Sequence, residues 1–318
     1  MKKTLAVFLS ASLLFAASGC SPSAPAWQEP PKEEEAFHYT YCDYINDATT
    51  VVSVCAPDEC LYYRDLLKKD GLDGVYDAIV YAASHLADPV QGQENVSEVC
   101  FDRDVTDEDL ERAYMYAVFD HPELWHLNPP RYVPYTRDEK NPRVIYLVYG
   151  VNRSEVPALD QKIRAASEET LLMLDGLKEQ EDVVSRLCAY FAENYDFENS
   201  HFEGKTHISI KDFFLDKMGN CFVSAQALNY LLRKAGFVAL LAAGGTKPQT
   251  ITHFWTVTVS YHKYVYTDLY SIAGDYSREN RRFNWNKIES ADYEGHWGDL
   301  ILFPQAPLAG SKVEATNP

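Results

Sequence analysis

Three side chains in the C-terminal half have the types and order needed for acyl transfer. Cys221 follows Gly219-Asn220 and opens an apolar helical pattern running to Ala235. Asn220 is a favoured N-cap residue. That places Cys221 in the first helical turn, where the positive end of the macrodipole favours negative charge on its sulfur. His253 opens the run His-Phe-Trp-Thr-Val-Thr-Val-Ser, and Asp268 closes the next one, Tyr264-Val265-Tyr266-Thr267-Asp268. Tyr261-His262-Lys263 is short enough to join these runs as a hairpin. Cys221, His253 and Asp268 then supply a nucleophile, a base and a carboxylate that orients the base.

Each residue alone has an ordinary explanation. A cysteine at a helix start is commonly a small buried side chain, and an aspartate at a strand end a turn residue. Order, spacing and element type together carry the case. From Cys221 to Gly274 the single carboxylate is Asp268. The other histidine there, His262, falls in the expected turn, where a base is hard to hold.

The surrounding pattern predicts the elements that must position these groups. Leu61–Lys69 and Val75–Leu86 have helical spacing, with Gly71 and Gly74 as breaks between them. Thr106 followed by Asp107-Glu108-Asp109 marks a helix start reaching about Phe119. Arg143–Tyr149 reads as a strand. Ala158–Leu177, Glu181–Asn194 and Cys221–Ala235 read as helices, the last ended by Gly236. Val238–Ala243, Phe254–Tyr261 and Tyr264–Leu269 read as strands. Helices followed by a group of sequential strands predict an α+β fold. Ala225, Leu228 and Leu232 share the Cys221 face of their helix and are expected to anchor it.

The first twenty residues predict export. Lys2 and Lys3 precede an apolar run, Leu5 to Phe15, and Ala17-Ser18-Gly19-Cys20 follows. The run is short for a spanning helix. The arrangement resembles a bacterial lipoprotein signal, which implies lipidation at Cys20 and an extracytoplasmic, membrane-anchored protein in the cell envelope. An ordinary secretory peptide cleaved nearby is the other reading. Ser21 to Glu35 is rich in proline and glutamate and reads as an extended tether. The expected organisation is therefore signal 1–20, tether 21–36, a mixed helical region 37–150 and a catalytic domain 151–318.

Composition narrows the partners. A net charge of −18 argues against nucleic acid, whose phosphates require clustered Lys and Arg. Membrane contact is expected through the anchor alone. Apolar residues at 46% are enough for a sizeable core. In an exported chain, Cys42, Cys55, Cys60 and Cys100 are disulfide candidates with three connectivities. Cys188, inside a helical pattern beside Leu187 and Phe191, reads as core. The acids between Glu98 and Glu123 read as a solvated face. His121 and His126 lack supporting cysteines, so no metal is expected, and no other cofactor.

Several short motifs extend the argument. Tyr195-Asp196, Gly219-Asn220-Cys221, Leu231-Leu232-Arg233-Lys234-Ala235-Gly236, His253-Phe254-Trp255 and Asp268 occur in that order. Together they resemble the transglutaminase-like domain of the papain-like cysteine-enzyme superfamily, from about Glu181 to Gly274. Phe119-Asp120-His121-Pro122-Glu123-Leu124-Trp125 resembles a segment that precedes this domain in exported bacterial members. The resemblance implies a nucleophile helix packed on an antiparallel sheet, preceded by a mainly helical region. It implies Cys221 as nucleophile, His253 as base and acid, and Asp268 as orienting group. Tyr195 and Trp255 are candidates for oxyanion or pocket roles. The function so implied is peptidase, amidase or transglutaminase chemistry on protein or peptide amides through a thioester. A non-catalytic surface binding or scaffold module on the same fold is the alternative. A transporter's substrate-binding lipoprotein fits less well, because its two-lobed α/β repeat is missing. The sequence does not specify substrate, acyl acceptor or oligomeric state.

Overall fold

The computed structural model describes residues 61–128, 134–197, 209–244, 253–260 and 263–278. All of them belong to one unit, Phe37–Pro318. The expected signal and tether, with Cys20, lie outside the described residues, as do Cys42, Cys55 and Cys60. Among the described residues no disulfide is formed. Cys100 is exposed, its thiol 3.4 Å from Glu98 Oε1.

The N-terminal part builds three helices and a sheet. Tyr62–Lys68 (α1) and Asp73–Ser84 (α2) are joined through Gly71, whose φ of +66° explains a glycine there. Pro89–Val90 (β1) and Gln93–Cys100 (β2) follow, then Asp107–Asp120 (α3), Tyr135–Arg137 (β3) and Val144–Val148 (β4). These strands form an antiparallel sheet in the order β1-β2-β4-β3. The expected mainly helical region is thus corrected to a mixed one. The spacing hid β2 because one of its two inward residues is polar. Ser97 and Val99 are buried, and Ser97 Oγ meets its burial cost by donating to Ala87 O at 2.6 Å. The start of α3 is as the sequence predicts: Thr106 Oγ1 accepts from Asp109 N at 3.1 Å. The acids of its first turn are solvated or paired, Asp107 with Arg137 and Asp109 with Arg112.

After a 3-10 turn at Arg153–Glu155 come Val156–Leu172 (α4), Gln180–Asn194 (α5), Ile210–Asp216 (α6) and Cys221–Lys234 (α7). Ala239–Gly244 (β5), His253–Ser260 (β6) and Lys263–Thr267 (β7) form a second antiparallel sheet in that order. Leu269–Arg278 (α8) closes the described chain. This is the α+β arrangement, with the expected helix packed on the expected antiparallel strands.

α7 lies between two apolar clusters. One joins α1, α2, α3 and the first sheet to β5, β6, β7 and Ala225. The other gathers α4, α5, α6 and α8 around Val223, Ala227, Leu228, Leu231 and Leu232. So α7 is buried almost all round rather than on one face. Ala225 anchors it to the first cluster, and Leu228 and Leu232 anchor it to the second. The first cluster also draws its residues from both sides of position 150, so the two expected regions share a core.

Buried polar groups lock α7 to the N-terminal part. Gln226 Nε2 donates to Val118 O at 3.1 Å, and Arg233 donates to Asp120 O and, at 2.7 Å, to Ala239 O. Asp120, fully buried, accepts from Tyr63 N at 3.3 Å, Arg64 N at 2.9 Å and the Tyr76 hydroxyl at 3.0 Å. Leu61, at the N-cap of α1, makes no side-chain capping bond. Asp120 satisfies the first-turn donors of α1 from across the fold. The Phe119–Trp125 segment is therefore a junction, in which His121 pairs with Glu123 and Trp125 Nε1 donates to Asp160.

Candidate active site

Cys221 is delivered by a short stitch of backbone. Asp196 N donates to Lys217 O at 2.9 Å, and Gly219 N donates to Asp196 O at 3.1 Å. Asp196 and Met218 form a parallel bridge. The Tyr-Asp motif and the Gly-Asn-Cys motif, far apart in sequence, are thus one structural unit. Gly219 has little room for a side chain: a Cβ there would stand 3.0 Å from Phe197 and 3.3 Å from Phe213. Asn220 Oδ1 then accepts from Val223 N at 2.9 Å and starts α7 where the sequence predicts. Cys221 is the first residue of the helix and is half-buried.

His253 begins β6, opposite Gly244 of β5. Cys221 lies close enough to the His253 ring to favour the protonated imidazole. His253 Nε2 donates to Asp268 Oδ2 at 2.6 Å. Asp268 is 5% exposed. The structure pairs His253 with Asp268 and sets Cys221 near the same ring.

The electrostatics follow from these bonds. Burial penalises charge on the His253 ring. The hydrogen bond and negative charge of Asp268, with a smaller contribution from Cys221, outweigh it, and its pKa is pushed up to about 10. Burial likewise favours a neutral Asp268, but the bonds from His253 and Ser271 hold its carboxyl below the usual range. The site favours an imidazolium against a carboxylate.

Trp255 is 1% exposed, two residues along β6 on the His253 face. Its ring centroid is 6.1 Å from that of His253 and 5.4 Å from Tyr266. Tyr195 packs at the end of α5 against Phe191 and Phe213, with centroids 4.9 and 4.6 Å away. Packing accounts for its position. Cys188 is fully buried in the core, where burial and the nearby Asp268 charge push its thiol pKa up.

One group at the site escaped the sequence reading. Ser271 N donates to Asp268 Oδ1 at 3.0 Å, and Ser271 Oγ donates to Asp268 Oδ2 at 2.6 Å. Asp268 therefore caps α8 while it holds His253. The signal was present as Asp-x-x-Ser before a helical stretch, and it was hidden by reading Asp268 only as a strand end. Tyr270, half-buried, puts its ring centroid 6.1 Å from that of His253.

No curated protein matches the chain. A family model does, from residue 172 to residue 271, a span that holds the α7 start, the β6 histidine and the β7–α8 corner. That model describes the transglutaminase-like superfamily, and residues 172–271 match it as a domain of that kind.

Proposed function

We propose that this protein is an exported cysteine-dependent amide hydrolase or acyltransferase acting on protein or peptide. One observation carries the reading: His253 is hydrogen-bonded through Nε2 to a buried carboxylate, with Cys221, at the start of α7, near the same ring. Asp268 orients the ring and stabilises its charge, leaving Nδ1 as the nitrogen that serves the sulfur. The Cys221 thiolate attacks the substrate carbonyl carbon. The oxyanion that forms is met by the Cys221 backbone N–H, a first-turn donor with no partner within the helix. His253 passes its proton to the departing amine as the C–N bond breaks, leaving a thioester on Cys221. Water or an amine then attacks the thioester, with His253 accepting the incoming proton, and Cys221 is released as thiolate.

Export and anchoring rest on the basic start, apolar run and Cys20 of the sequence. Incorporation of labelled palmitate that is lost in Cys20→Ala is the expected result for an anchored protein.

Alkylation of the folded protein by iodoacetamide, mapped by mass spectrometry, tests the chemistry. Cys221 is expected to react fastest of the cysteines, and more slowly in His253→Ala. Ammonia release from glutamine peptides, with and without an added alkylamine, separates hydrolysis from transfer. Cys221 reactivity no greater than in denatured protein would overturn the reading.

A further inference from the structure

A capping aspartate needs one oxygen on one backbone N–H. Asp268 has that bond, from Ser271 N to Oδ1. The same residue makes a second contact that capping does not require. Its hydroxyl donates to Oδ2, the oxygen that accepts from His253 Nε2, and both distances are 2.6 Å. Both carboxylate oxygens are thereby fixed, and the one facing the imidazole divides its charge between two donors.

We propose that Ser271 is a positioning residue whose hydroxyl moderates the Asp268–His253 pair by sharing Oδ2. This rests on the cysteine-hydrolase reading above. An imidazolium held too tightly by its carboxylate is a poor proton donor to a leaving amine. Ser271 draws part of the negative charge of Oδ2 away from His253 and keeps the ring able to give up its proton. Among the described residues, the other groups facing the pair include Cys221 from α7, Cys188 from α5, Trp255 from β6 and Tyr270 from α8. Cys188 is held neutral by burial, whereas Ser271 meets Oδ2 through a direct hydrogen bond.

The test is the titration of His253 followed by NMR in protein carrying ¹³C-labelled histidine. Ser271→Ala keeps the backbone N–H and the α8 cap, so the thermal midpoint should stay close to that of the unaltered protein. The His253 midpoint should rise by about 0.5 pH unit. Ser271→Thr, which keeps a hydroxyl, should restore it. Where turnover is measurable, Ser271→Ala should lower kcat about 3- to 10-fold with KM unchanged. A midpoint that stays or falls in Ser271→Ala, or that rises equally in Ser271→Thr, overturns the proposal. The titration does not depend on turnover. An inactive protein with the expected shift would sink the proposed activity and leave the role of Ser271 standing.

Discussion

His253 and Asp268 meet diagonally across two antiparallel strands. Thr256 pairs with Thr267, so continuing the register puts Asp268 level with Trp255 and two residues along from His253. Diagonal neighbours on one face are farther apart than direct partners and need a directed side chain to close the gap. The direction here comes from outside the sheet. Asp268 is the residue where β7 gives way to α8, and the α8 N-terminus fixes its carboxylate through Ser271. A strand end alone would leave the carboxylate rotamer free.

Asp268→Asn separates the two duties of this residue. Asparagine caps helices as well as aspartate does, so the fold should survive. The imidazolium loses its charge partner, and the His253 pKa should drop from about 10 toward its ordinary 6.5. The alkaline limb of the kcat/KM profile should move down with it, and kcat should fall about 10²- to 10⁴-fold. Stability has the same sign. A raised histidine pKa contributes stability that is complete below about pH 6.5 and is lost as the pH climbs through about 10. Denaturant midpoints across that range should fall in the parent protein and change little in Asp268→Asn.

Gly219→Ala should damage the site from behind. The added methyl would stand 3.0 Å from the Phe197 ring and 3.3 Å from Phe213. Phe213 is fully buried among Phe191, Tyr195 and Phe197, so its ring has little room to yield. Overpacking of this kind costs about 1–3 kcal/mol. The backbone that carries Cys221 must also move, so iodoacetamide should modify Cys221 more slowly. A denaturant midpoint equal to that of the parent protein would show that the aromatic cluster yields.

The reactive core was readable because its signals are local. An N-cap before Cys221, a glycine after α7 and β-rich runs around His253 and Asp268 each fix an element within a few residues. What stayed hidden depends on distant partners. β2 was missed because Ser97 is an inward residue only in the company of Ala87 O. The acid Asp120 looks like one more charge in an acidic stretch until α1 is placed on it. Arg233 ends a helix with the expected basic residue, yet it is buried and donates to Asp120 O and Ala239 O. The Phe119–Trp125 motif was likewise recognisable as a string, while its meaning as a junction needed the fold.

Asn220→Ala tests the link between the α7 cap and Cys221. The Asn220 side chain satisfies Val223 N at 2.9 Å. Losing such a cap costs about 1 kcal/mol. Fraying of the first turn also moves the Cys221 N–H that the proposed oxyanion needs, so kcat should fall further than stability does. Asn220→Ser or Asn220→Asp should restore the cap and most of the lost stability. Equal melting temperatures for the parent protein and Asn220→Ala would show that the α7 start is held by packing alone.

Asp120 should make the stability of the N-terminal junction depend on pH. Burial is the dominant influence on its carboxyl; despite His121, Arg233 and the α1 donors, the pKa is raised to about 6. A carboxyl whose folded pKa is raised binds its proton more tightly when folded. Its contribution is therefore complete below about pH 4 and is lost as the pH rises through about 6. The difference between the ordinary and folded values corresponds to about 3 kcal/mol. Asp120→Asn does not titrate, so the stability of the parent protein relative to this variant should increase as the pH falls from 7 to 4. Asp120→Ala should be worse than either at every pH, because Tyr63 N and Arg64 N then lose their acceptor inside the fold, at about 1–3 kcal/mol. Urea titrations of the three proteins across this range measure both effects. A constant difference between the parent protein and Asp120→Asn would mean that Asp120 keeps an ordinary carboxylate pKa and that the Arg233 charge dominates its burial.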